Sequence, residues 1–343
     1  MSNAVRVGVV GAGYWGPNLI RNVAGVPGAE LAVICDADRE RLDGVGKSYP
    51  GVELVEDFAR VVADDSIDAV VLATPASTHH KLGMDAMRAG KDILVEKPLA
   101  MSVEECSALV SCAREHDRIL MVGHTFIYNA AVKYIHNLVT KGELGEVFYV
   151  YSSRVNLGRI RQDVNALWNV APHDISILSH VLGEAPTRVR AMGRACLQPG
   201  LEDVVFAVFE YPSGAVAHLH SSWLDPSKVR RTTFVGSEKM VVYDDVESEG
   251  KIKIYDKGAR REGADSEYGE FQIRLHSGDI HIPKITFTEP LAEECRHFVE
   301  CVRSRETPRT CGVKGMEVVA ALEAAQKSLE SGGDSVSIEV PEV

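Results

Sequence analysis

No apolar run in this 343-residue chain approaches the roughly 18 residues that a membrane-spanning helix needs. Cysteine is scarce and scattered. The seven residues (35, 106, 112, 196, 295, 301 and 311) are odd in number and contain no CxxC pair, so neither a zinc site nor a disulfide framework is indicated. Positive charge is in deficit: 37 Lys and Arg stand against 49 Asp and Glu, a net charge of −12. That balance argues against a nucleic-acid footprint and suits either a cationic substrate or plain solubility. There is no internal repeat and no low-complexity tail. The start MSNA runs directly into a strand-like segment, leaving no room for a signal peptide, and a reduced, cytoplasmic protein is expected.

What is present falls into two halves with different periodicity. In residues 1–124, short apolar runs (VRVGVV, LAVICD, DAVVLATP, DILVEKP, ILMVGH) alternate with segments of helical spacing. That pattern predicts an α/β dinucleotide-binding (Rossmann) domain with a parallel sheet covered on both faces. Residues 125–343 carry longer, often alternating runs separated by turn residues. They predict an α+β domain built on a large, mostly antiparallel open sheet. Helices are expected at 130–141, 171–182, 290–303 and 313–330, and residues 258–284 read as a polar, lid-like excursion.

The strand VGVV leads at once into GAGYWG, with helical spacing beyond it and an acidic residue, Asp36, ending the next strand. A GxGxxG alone is a weak signal, but this context is the dinucleotide fingerprint. Gly11 permits the tight turn, Gly13 lets the backbone approach a pyrophosphate, and Gly16 allows close helix–strand contact, with the helix N-terminus facing the phosphates. Asp36 suits the ribose hydroxyls and repels a 2′-phosphate, so NAD is expected over NADP; Arg39 nearby could blunt this. Thr74 and Pro75 end another strand at the edge where the cofactor should lie, and His79 or His80 follows at a helix start near the nicotinamide ribose.

The run DILVEKP places Lys97 at the carboxyl end of the next strand, with Pro98 setting a rigid turn and Ser102 and Glu105 forming an S-x-x-E capping box. Successive side chains on a strand point to opposite faces, so Glu96 is not automatically the partner of Lys97. A lysine at that edge can donate to a substrate oxygen or act as a base. A second constellation is ALWNVAPHDISILSHVLG, where Pro172 predicts a helix start that puts His173 and Asp174 in its first turn. Asn169 and Asp174 are both able to orient the His173 imidazole.

Taken in order, GAGYWG, the TP…H segment, EKP and the histidine-bearing helix resemble the Gfo/Idh/MocA family of NAD(P)-dependent sugar and inositol oxidoreductases, over nearly the whole chain. The resemblance implies that Lys97 and His173 meet across the cofactor as the catalytic pair, with either able to serve as base. It adds Tyr14, Trp15 and Glu96 to the cofactor contacts. The family's usual aspartate four residues before the histidine is Asn169 here; it can hydrogen-bond a hydroxyl but brings no negative charge, a deficit Asp174 is positioned to offset. No metal is implied.

GYWGPNLIRN, VGHTFIYNAAV, RVNLGRIRQDVNALWNVAPHDISIL and SSWLDPSKVR are similar to members from amino-sugar pathways, including UDP-N-acetylglucosaminuronate 3-dehydrogenases. Oxidation of a ring C3 hydroxyl is therefore expected. Tyr128, Asn169 and the basic run Arg154, Arg159 and Arg161 are candidates for the substrate, the arginines for its carboxylate or diphosphate. C3 oxidation of an aminoglycoside ring is the alternative substrate, and a non-catalytic NAD-binding regulator the alternative class. The resemblance implies that residues 125–343 bind the substrate and that their sheet joins subunits in a homodimer or homotetramer; no nucleic-acid or membrane partner is expected.

Overall fold

The computed structural model describes residues 4–158, 160–262 and 272–343, which form two compact units. The first contains residues 1–128, 288–320 and 340–343, and the second residues 129–287 and 321–339. The division at 124/125 is therefore not linear: the chain leaves the first unit near Tyr128 and returns to it at Thr288.

The first unit is built on strands β1 (Val5–Val10), β2 (Ala29–Cys35), β3 (Glu53–Val55), β4 (Ala69–Leu72), β5 (Asp92–Glu96) and β6 (Leu120–Gly123), all parallel in the order 3-2-1-4-5-6. Helices α1 (Gly16–Gly25), α2 (Arg39–Gly46), α3 (Phe58–Ala63), α4 (His79–Arg88) and α5 (Val103–Glu115) are its crossovers. Every residue of β4 and of β6 is buried, as a doubly covered sheet requires. The order reverses between β1 and β4, so the crevice for a ligand opens at their carboxyl ends. The expected capping box forms with one offset: Ser102 Oγ accepts the Glu105 N–H, while the Glu105 carboxylate reaches back to the N–H of Met101.

Helix α8 (Pro290–Ser304) completes this unit's core, where its Leu291, Cys295, Phe298 and Val299 join Val5, Leu19, Ile20 and Val23. Arg305, just past its end, donates to the Asp92 carboxylate and to the Asp117 carbonyl, both at 2.6 Å. The Val122 N–H donates to the Thr310 carbonyl at 2.7 Å, extending the edge of β6. These contacts account for the return of the chain: a sheet edge and an apolar helix face are both left open by residues 1–128 alone.

The second unit is a nine-stranded sheet. Its strands are β7 (Val147–Val155), β8 (Arg188–Arg194), β9 (Val204–Glu210), β10 (Val216–Ser222), β11 (Val229–Gly236), β12 (Met240–Asp244), β13 (Ile252–Glu262), β14 (Gln272–His281) and β15 (Val336–Ser337). Their order is 14-13-12-11-7-10-9-8-15, antiparallel except for the β7–β10 pair. Helix α6 (Ala130–Thr140) packs on α7 (Ala166–Leu182), which lies on β7, β9 and β10. Helix α9 (Gly312–Glu330) is shared, its later residues belonging here, where Ser328 accepts the Ala191 N–H. The excursion expected at 258–284 is instead largely the β13–β14 hairpin, with residues 263–271 outside the described residues.

The sheet face away from α7 carries exposed aromatic side chains that no described residue covers. Tyr149 (47%), Tyr151 (43%) and Phe206 (45%) are exposed there, and the Phe206 ring stacks on His220 at 4.4 Å.

Candidate active site

The glycine loop resolves into three separate steric demands. Gly11 has φ +100°, and a Cβ there would come within 2.6 Å of the Ala73 carbonyl oxygen. A Cβ at Gly16 would lie 2.0 Å from the Gly11 oxygen. Gly13 is different: a Cβ would meet only Arg41 Nη1, at 3.7 Å. The space over Gly13 is a cradle that a side chain would fill, which fits a pyrophosphate laid against the backbone.

Asp36 ends β2 almost buried, accepting the Ala12 N–H at 2.6 Å on one oxygen and the Asp38 N–H at 2.9 Å on the other. Each carboxylate oxygen retains a lone pair for a hydroxyl. The arginine near it is not Arg39, which pairs with Asp43 and Glu56, but Arg41, whose Nη1 is 3.9 Å from Asp36. Spacing on α2 decides this, since Arg39 and Arg41 project to different sides.

At the exits of β4 and β5 the site tightens. The Trp15 indole N–H, on the glycine loop, donates to the Glu96 carboxylate at 2.7 Å, and the Lys97 N–H donates to the other Glu96 oxygen at 3.2 Å. Glu96 thus ties the dinucleotide loop to the backbone of Lys97. Its carboxyl lies over Gly123, where a Cβ would sit 3.2 Å from both Cδ and Oε1. Burial raises the Glu96 pKa, partly offset by the Lys97 charge and the Trp15 bond. Tyr14 stands 84% exposed on the same loop.

Behind this edge are two buried groups that sequence patterns did not single out. Glu294, on α8, is fully buried; Thr125 donates to one of its oxygens at 2.9 Å, while Oε1 has no hydrogen-bond partner among the described residues. Burial, and then the charge of Glu96, holds its pKa well above the carboxylate range. His124 is buried with neither ring nitrogen hydrogen-bonded among the described residues, and burial, with the Lys97 charge second, pushes its pKa down to about 3. Burial thus favours the uncharged form of both groups.

His79 does not face outward to a ribose. It is 1% exposed, with Nδ1 2.9 Å from the Pro98 carbonyl and Nε2 3.0 Å from that of Thr74. Tyr128 is likewise no substrate contact: it is 1% exposed, and its hydroxyl is engaged by His297 at 2.8 Å and Thr310 at 3.3 Å.

In the second unit, α7 begins earlier than Pro172 predicts. Asn165 is its N-cap, accepting the Trp168 N–H at 3.1 Å, and Pro172 lies inside the helix. The helix preference for proline in the first turn is overridden because Ala166, Leu167 and Ala171 are all buried. His173 and Asn169 are four residues apart and half-buried, so they share a helix face. Asp174 turns inward, accepting from Ser152 at 2.9 Å and from Arg154 at 2.8 and 3.2 Å. Its two oxygens are spent there and do not offset the missing family aspartate. Arg154 is correspondingly a buried structural cation rather than a substrate anchor, and Arg161 is paired with Asp163. Arg159 lies outside the described residues.

A 3-2-1-4-5-6 parallel sheet with a pyrophosphate cradle at its switch point defines a Rossmann dinucleotide-binding protein. Residues 5–124 match the oxidoreductase family with NAD-binding Rossmann fold, and residues 132–242 match the Gfo/Idh/MocA C-terminal domain. The chain belongs to the Gfo/Idh/MocA family of oxidoreductases. It is 28% identical over 344 residues to the scyllo-inositol 2-dehydrogenase (NAD(+)) of Bacillus subtilis, covering 97% of this chain and 96% of that protein. It is 26% identical to the UDP-N-acetylglucosamine 3-dehydrogenase of Acidithiobacillus ferrooxidans, over 95% and 98% of the two chains. The solved structure of that enzyme, GnnA, superposes with a TM-score of 0.80 at 25% identity, again covering 95% and 98%. Among the described residues no helix is long and apolar enough to cross a membrane.

Proposed function

We propose that this chain is an NAD-dependent dehydrogenase that oxidises a secondary ring alcohol, the C3 hydroxyl of a nucleotide-linked amino sugar or uronic acid. The observation that carries the reading is the placement of Lys97 at the β5 exit, tied through Glu96 and Trp15 to the glycine loop. Similarity along almost the whole chain to a UDP-N-acetylglucosamine 3-dehydrogenase supports the substrate class. Gly11, Gly13, Gly16, Asp36, Thr74 and Pro75 would hold NAD, which when bound supplies the hydride acceptor. Asp36 disfavours a 2′-phosphate, which supports NAD over NADP.

In this reading Lys97 and His173 act together on the alcohol. Lys97, as an ammonium, donates to the hydroxyl oxygen and stabilises its developing negative charge. His173 accepts the hydroxyl proton, and Asn169 on the same helix face hydrogen-bonds a neighbouring hydroxyl of the ring. The uncovered aromatic sheet face of the second unit supports a homo-oligomer joined through it. A cyclitol is a second substrate class, favoured by the similarity to an inositol dehydrogenase over 97% of the chain.

The test is reduced-nicotinamide absorbance with NAD and, separately, NADP, offered UDP-N-acetylglucosamine, its uronic acid, an aminoglycoside and scyllo-inositol. NAD reduction with a UDP-linked sugar is the expected result. Lys97→Ala and His173→Ala should each lose roughly 10²–10⁴-fold in kcat with NAD binding retained. Full turnover by Lys97→Ala would overturn the assignment.

A further inference from the structure

His79 sits where two strand exits must be held in register. Its ring bridges the carbonyl of Thr74, just beyond β4, and the carbonyl of Pro98, immediately after Lys97. Both partners are acceptors, so the ring is engaged only through N–H groups that it supplies itself. Burial pushes its pKa below the ordinary histidine value, and its place at the first residue of α4 puts it at the positive end of the helix dipole. Both effects favour the neutral ring, which carries one N–H and donates it to one carbonyl at a time; the tautomer decides which strand exit is held.

The backbone of Lys97 is then secured on both flanks. On one side its N–H is taken by the Glu96 carboxylate, which is itself held by Trp15. On the other side the next carbonyl, that of Pro98, is taken by His79. Without the second tie the segment after β5 loses its hold at the Pro98 carbonyl, and the ammonium group, at the end of a long flexible side chain, inherits the resulting error in its backbone.

We infer that His79 is a positioning residue that, as its Nδ1–H tautomer, sets the location of Lys97 by holding the Pro98 carbonyl at the exit of β5. The inference rests on Lys97 being the catalytic cation proposed above, so its test must not depend on turnover alone.

The decisive comparison is His79→Asn, whose amide N–H takes the place of Nδ1, with His79→Phe, which fills the space without a donor. Two readouts apply. The first is competitive acetylation of Lys97 against Lys327 at fixed pH, followed by mass spectrometry. The second is kcat and KM for NAD. His79→Phe should change the relative acetylation of Lys97 at least threefold and lower kcat roughly 10–100-fold, with KM for NAD within about threefold. His79→Asn should recover most of both effects. If acetylation of Lys97 is the same in wild type and both folded variants, the inference fails. Should His79→Phe not fold, an unchanged Lys97 reactivity in His79→Gln, whose amide takes the place of Nε2 and leaves the Pro98 carbonyl without the Nδ1 donor, overturns it equally. If no sugar is oxidised by the wild type, the functional reading fails while the acetylation result still decides the role of His79.

Discussion

Arg154 donates two hydrogen bonds to Asp174, from Nε at 2.8 Å and from a terminal nitrogen at 3.2 Å, deep in the second unit and one residue from His173. The pair links β7 to the middle of α7, the helix that carries His173 and Asn169. Both side chains are under 10% exposed, so neither charge can fall back on water if its partner is removed. Asp174→Asn or Arg154→Met should cost about 3–5 kcal/mol, read from urea denaturation. Replacing both, as Arg154→Met with Asp174→Leu, should recover much of that loss, because Ser152 keeps its bond to Thr232 at 2.9 Å. Equal losses in the single and double variants would contradict the pairing.

The tie between Trp15 and Glu96 predicts a binding effect. Trp15→Phe keeps an aromatic ring but removes the indole donor, freeing the glycine loop from the β5 exit. NAD affinity should fall about three- to tenfold by isothermal titration, a modest loss because Trp15 is partly solvated. An unchanged affinity would mean that the tie does not hold the loop for the cofactor.

Glu294 predicts a pH dependence of stability. Its folded-state pKa is raised, first by burial and then by the charge of Glu96. The folded state therefore holds this proton more tightly than the unfolded state. The corresponding stability is present in full below the ordinary carboxylate pKa and is lost as pH rises through the higher folded value. Over that window each pH unit costs up to about 1.4 kcal/mol. Glu294→Gln cannot ionise, so its denaturation midpoint should fall less than that of the wild type between pH 5 and pH 9. Parallel curves would show that Glu294 does not titrate in this range.

The uncovered sheet face predicts an assembly. Phe206→Glu places a charge amid Met192, Val208 and His220, in a patch where a second copy is proposed to pack. Sedimentation velocity should show the wild type as an oligomer and this variant shifted toward monomer. A monomeric wild type would remove the proposed interface.

Much of the first unit was legible in the sequence because its signals are local. Strand, glycine turn and helix follow one another within a few residues, and Lys97 needs only its own strand to be placed. Errors arose where a distant partner decides the outcome. On β7 an apolar and aromatic run, VFYVY, gives way to Ser-Ser-Arg, yet it is Ser152 and Arg154 that turn inward and Tyr149 and Tyr151 that face out. Residue type alone cannot say which face is the core; Asp174, 20 residues beyond Arg154, settles it. The same reasoning covers β14, whose exposed Ile273 and Leu275 give no buried face to read. His79 was placed at the right helix start, but the carbonyls that claim its ring come from two separate strand exits. Glu294 and His124 have meaning only once α8 lies against the first unit.

The return of residues 288–320 to the first unit also bears on synthesis. As the chain leaves the ribosome, the nucleotide-binding sheet emerges early but lacks Phe298 and Leu291 from its core and the Thr310 carbonyl from its edge. It cannot be finished until all of β7 to β14 has been translated. A fragment ending near Tyr128 would thus be an incomplete nucleotide-binding unit, and the nascent enzyme closes its oldest part almost last.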